Sequence, residues 1–150
     1  MKTLRYFVLV IAVSLCISLV PVSTSAQENH SVEVDNPAIN AWIDAVSGGG
    51  TTGAEDFLAP DYIWYTNGFM SHVGPGGFRN WVAEIHALFP DVALTVEEVI
   101  AVNDTVALRY TLTGTHLGKD PQYPAEPTGN NLILSNVVIF HLDDNKIVDG

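Results

Sequence analysis

The sequence predicts an α+β domain, a curved antiparallel sheet with about three helices packed on one face. Two observations carry this. The stretch over residues 89–118, FPDVALTVEEVIAVNDTVALRYTLTGTHLG, alternates apolar with polar or small side chains on either side of Asn103-Asp104, the pattern of a β-hairpin. Residues 37–47 and 75–89 instead repeat apolar residues at helical spacing, so each buries one face.

The chain opens on a segment that does not belong to the fold. Lys2 and Arg5 precede an apolar run over residues 6–20, Pro21 breaks it, and Thr24-Ser25-Ala26 offers small residues for cleavage. This reads as a secretory signal peptide over residues 1–26, followed by one domain over 27–150. The run is short for a spanning helix, which needs roughly 20 apolar residues, so no stable membrane anchor is expected. The domain is placed outside the cytoplasm, secreted or periplasmic. Cys16, the only cysteine, lies in the leader, so the domain is held by its core without a disulfide. The formal net charge is −11, and two of the six basic residues lie in the leader, which leaves the domain more acidic still. Such a surface repels phosphate backbones, which excludes nucleic acid as a partner.

The domain's elements follow in order. Asn36 is an N-cap and Pro37 the first residue of a helix whose stripe is Ile39, Trp42, Ile43 and Val46, ended by Gly48-Gly49-Gly50. Thr52 to Glu55 has the form of a capping box for a short second helix that Ala59-Pro60 stops. Residues 62–66 and 69–73 form strands joined by an Asn67-Gly68 turn. Gly74-Pro75 opens the third helix, with Phe78, Trp81, Val82, Ile85, Leu88 and Phe89 on one face and Trp81 at its middle. Strands are expected over 92–102, 105–116 and 130–141, with a β-bulge at Glu97-Glu98, where the alternation breaks. Residues 117–129 hold three prolines and form a loop. Asp143-Asp144-Asn145 is a turn, and Lys146 starts a last strand.

Several stretches, taken in this order, resemble the SnoaL-like polyketide cyclase family of the nuclear transport factor 2-like superfamily. They are Leu58-Ala-Pro-Asp-Tyr62, His72-Val-Gly-Pro75 with Phe78, Phe89-Pro-Asp91, Leu112 to Gly118, Pro127-Thr-Gly129, and Phe140 with Lys146-Ile147. The resemblance implies a cone-shaped barrel of α+β type, an apolar pocket between sheet and helices, and a homodimer built through the sheet. It implies a cofactor-free cyclase or isomerase acting by acid–base chemistry on a small apolar molecule. It also implies a polar residue at the position of Val138, and an aspartate a few residues beyond Lys146-Ile147, past Gly150. Two readings stay open: a domain cut short in its last strand, or a non-catalytic binding or dimerisation module on the same fold.

The ligand-binding candidates are Trp64, His72, Tyr110, Asn136 and Phe140. Three are aromatic bulk at strand spacing, which serves a core as readily as a pocket. Asn136 shares the face of Val138 and bonds either a ligand oxygen or backbone. His72 is the one catalytic candidate, and it competes with a plain exposed hairpin histidine. Arg109 is expected to pair with Glu97 or Glu98, or else to hold an anionic substrate. His86 is expected at an exposed helix edge. No two histidines have metal-ligand spacing, so neither a metal site nor a cofactor is expected. Asn29-His-Ser31 and Asn103-Asp-Thr105 fit the glycosylation pattern.

Overall fold

The computed structural model describes residues 34–119 and 126–150. The proposed leader and Asn29 lie outside them. Nine elements follow in order: α1 (Pro37–Gly48), α2 (Ala54–Phe57), β1 (Leu58–Thr66), β2 (Phe69–Val73), α3 (Gly74–Leu88), β3 (Ala93–Val102), β4 (Thr105–Thr115), β5 (Asn131–Asp143) and β6 (Lys146–Asp149). The six strands form one sheet in the order β2-β1-β6-β5-β4-β3. The architecture is α+β as expected. In detail the sheet is mixed, because β1 and β6 run parallel, and it is open, with β2 and β3 as its edges.

Local chemistry sets the element boundaries. The Asn36 side chain accepts the Ile39 N–H at 3.1 Å, and Gly49 closes α1 in the left-handed region, donating its N–H to the Ala45 carbonyl. The second helix starts differently from the capping-box expectation. Gly53 is its N-cap and no side chain caps it. The strand after it begins at Leu58, earlier than the expected Tyr62, because Pro60 needs no N–H partner at a strand's start. The bulge falls where expected: Val96 faces Tyr110 and Glu98 faces Arg109, so Glu97 has no partner across the ladder.

One side of the sheet is core. Val96, Val106, Leu108, Tyr110, Leu112, Val138, Phe140 and Ile147 are buried on it, beneath Ile39, Trp42 and Val46 of α1 and Phe78 and Val82 of α3. The opposite side stays exposed and largely apolar, with Ile100, Ile133, Val137 and Ile139 on it.

The corner between α3 and the sheet is tied twice. Asp91 accepts the N–H of Thr115 at 2.7 Å and its hydroxyl at 2.8 Å, and these bonds hold its pKa below the usual carboxylate range. Leu117 and Gly118 donate their N–H groups to the Leu88 carbonyl at the end of α3. A Cβ on Gly118 would sit 1.7 Å from the Ala87 carbonyl oxygen, so only glycine fits there.

Candidate functional site

The ladder between β4 and β5 pairs Tyr110 with Asn136 and Leu112 with Leu134, which puts these four side chains in one patch on the inner face. Trp81 and Ile85, four residues apart on α3, cover the patch from above. The end of β1, from Trp64 to Thr66, forms the third wall. Together these residues enclose a cavity of about 290 Å³. Its walls are mostly apolar, with the Tyr110 hydroxyl and the Asn136 amide as convergent polar groups. Neither of those two side chains has a hydrogen-bond partner among the described residues.

The structure thus brings Trp64, Tyr110 and Asn136 together at this cavity. It places the other two candidates behind the wall. Phe140 is fully buried and packs edge-on against Trp42 at 5.1 Å. The His72 ring stacks on Trp64 at 6.0 Å and on Trp81 at 5.5 Å. Its Nε2 is buried and unpartnered, unlike that of an exposed hairpin histidine. Burial lowers the His72 pKa to about 4, so the imidazole is neutral near pH 7 and a weak base there. Burial also pushes the Tyr110 phenol up to about 12.

Two residues of the site were read in the sequence as core alone. Trp42, fully buried on α1, stacks on Trp64 and Trp81 and meets Tyr110 and Phe140 edge-on, so it is the hub of the ring cluster. Trp81 forms part of the cavity wall. A tryptophan in an apolar stripe carries no local mark that separates these roles. The signal available was that all three tryptophans lie in elements expected to pack on the same side of the sheet.

The remaining polar candidates are structural. Arg109 pairs with both Glu97 and Glu98 on the outer face. His86 is half-buried, against the expectation of an exposed edge, and its Nε2 donates to the Val46 carbonyl at 2.9 Å. There it satisfies a free carbonyl in the last turn of α1. His141 bonds Asp149 at 2.5 Å on the outer face, and His116 bonds the Thr128 hydroxyl at 3.1 Å. No group of three or more His, Asp or Glu side chains among the described residues could hold a metal ion. A wider depression of about 720 Å³ lies outside α1 and α2, lined by alanines, glycines, Asp44 and Asp56. It is shallow, open to solvent and remote from the ring cluster.

The sequence profile of the SnoaL-like polyketide cyclase family matches residues 37–150. Among solved structures, AclR from Streptomyces galilaeus, a candidate hydroxylase, is 26% identical with a TM-score of 0.63, covering 75% of this chain and 72% of its own. IdmH from Streptomyces antibioticus, a candidate polyketide cyclase, is 22% identical with a TM-score of 0.62, covering 75% of this chain and 85% of its own. A candidate SnoaL-like polyketide cyclase from a Jannaschia species is also 22% identical with a TM-score of 0.62, covering 75% and 78%. No curated protein matches the chain.

Proposed function

The chain belongs to the SnoaL-like polyketide cyclase family, and on that premise we propose that its cavity binds a small, largely apolar molecule carrying a carbonyl or hydroxyl oxygen. The observation that carries this reading is the cavity itself. Trp64, Trp81, Ile85, Leu112 and Leu134 offer apolar area, while the Tyr110 hydroxyl and the Asn136 amide stand unpaired at its wall. Burial of a flat hydrocarbon against these indoles supplies affinity, and the two polar groups orient it.

A second reading, a cyclase or isomerase, follows from family membership. Such a reaction removes a proton beside a carbonyl and returns one to the new alkoxide. Of the described side chains at or behind the cavity, His72 is the one able to exchange a proton below pH 7, and its depressed pKa makes it a poor base. Binding is therefore the primary reading.

The test titrates the purified domain with an aromatic ketone and follows tryptophan fluorescence. Quenching is expected in the wild type and is expected to vanish in Asn136→Trp, which fills the cavity, with the far-UV spectrum unchanged. Quenching that survives Asn136→Trp places the ligand elsewhere and defeats the reading. Cyclisation of a polyketide ester by the wild type, abolished in His72→Ala, would establish the enzyme instead.

A further inference from the structure

Three buried polar atoms among the described residues have no hydrogen-bond partner: Trp42 Nε1, Tyr62 Oη and His72 Nε2. They belong to one cluster. The Tyr62 and His72 rings lie 6.0 Å apart, and the Trp42 indole is close enough to Tyr62 to offset part of the rise that burial imposes on its phenol, without reaching hydrogen-bond geometry. Trp42 and Tyr62 are both 0% exposed. An indole N–H can only donate, and a phenol that stays protonated donates too. Leaving such groups dry and unpaired is unfavourable, and proteins rarely do so without a use for them.

The cluster lies one ring's thickness behind the cavity. Trp64 and Trp81, which line the cavity, stack on Trp42 at 5.6 and 6.4 Å and on His72 at 6.0 and 5.5 Å. Trp81 is only half-buried, so its indole is the movable part of this partition.

We propose that the cavity has a deeper compartment, opened by displacement of the Trp81 indole, in which Tyr62 Oη and Trp42 Nε1 together hold the carbonyl oxygen of the ligand. A carbonyl oxygen carries two lone pairs and no hydrogen, which matches two donors that lack an acceptor. The ligand class is then an aromatic ketone or ester rather than a hydrocarbon or an amine. The neutral His72 Nε2 borders the same compartment and can meet a hydroxyl on the same ligand. This assignment rests on the cavity being a ligand site.

The experiment uses acetylnaphthalene and isopropylnaphthalene, substituted at the same ring position and nearly equal in shape, titrated calorimetrically into the wild type, Tyr62→Phe and Tyr110→Phe. The wild type should favour the ketone by about tenfold, in line with one net hydrogen bond. Tyr62→Phe should lose that preference, keep its affinity for the hydrocarbon, and melt no lower than the wild type, because the hydroxyl it removes is unpaired in the free protein. A wild type with no preference, or a preference that survives Tyr62→Phe, overturns the proposal. So does a preference removed by Tyr110→Phe alone, which puts the oxygen at the cavity mouth. A clear drop in melting temperature for Tyr62→Phe overturns it as well, since the hydroxyl would already have a partner such as a buried water. If neither probe binds, the ligand-site reading fails and this one falls with it.

Discussion

The β3–β4 hairpin and the ring cluster are built by opposite means. In the hairpin every contact is between near neighbours in sequence, from Val102 against Thr105 at the turn to Ala93 against Thr113 at the open end. Its order is spread along a ladder, and no single side chain decides it. The cluster gathers Trp42 from α1, Trp64 from β1, His72 from β2, Trp81 from α3, Tyr110 from β4 and Phe140 from β5. Each member touches several others, so its contribution is concentrated. The hairpin keeps its charges at the surface, whereas the cluster buries polar atoms it does not pair. A scaffold can be repetitive; a binding site has to be assembled from parts that only the finished fold brings together.

The largest expected effect sharpens this difference. Trp42→Ala removes a fully buried ring that contacts four others, and should cost about 3–5 kcal/mol in a urea melt. Trp81→Ala, at a half-buried position, should cost less, although the helical stripe alone ranks Trp81 at its centre. Equal losses at the two positions would mean that the cluster has no hub.

An intermediate effect comes from pH. The folded-state pKa of His72 is depressed to about 4 from an ordinary 6.5, so between those values the unfolded chain binds more protons. Stability therefore falls as pH drops through that window. Asp91 and Glu55 have lowered pKa values and also lose stabilisation in acid, but they do so in both proteins being compared. Melts of wild type and His72→Phe from neutral pH down to pH 4 should show the wild type losing ground steadily to the variant. A constant difference would show that His72 is as solvated in the fold as out of it.

The smallest effect belongs to the hairpin. Arg109→Ala breaks pairs with both Glu97 and Glu98, yet these charges are exposed, and the loss should be about 1 kcal/mol or less. A loss as large as that of Trp42→Ala would erase the contrast between the two regions.

The same contrast explains what could be read in the sequence. Local periodicity marks α1, α3, both arms of the hairpin and the bulge at Glu97, because each is decided by residues a few positions apart. The parallel joint between β1 and β6 has no local sign, since Leu58 and Ile147 meet only when the sheet closes up around them. The role of His86 was hidden for a similar reason: its partner, the Val46 carbonyl, lies forty residues away on another helix. Trp64, Tyr110 and Asn136 were legible as inward-facing by strand parity. That His72 and Phe140 sit behind the wall depends on the sizes of neighbouring rings, which parity does not report.

The bulge also governs where this chain can change length. Because the side chains of a strand alternate faces, adding or losing one residue elsewhere in β3 would turn every residue on one side of the change inside out. Glu97 stands opposite nothing, between Val96 facing Tyr110 and Glu98 facing Arg109. Its deletion would leave each remaining pair in register and take away only the bend and one arm of the Arg109 pairing. Within β3, a gap or an insertion has one permitted address, and it is the position that gives the sheet its curve.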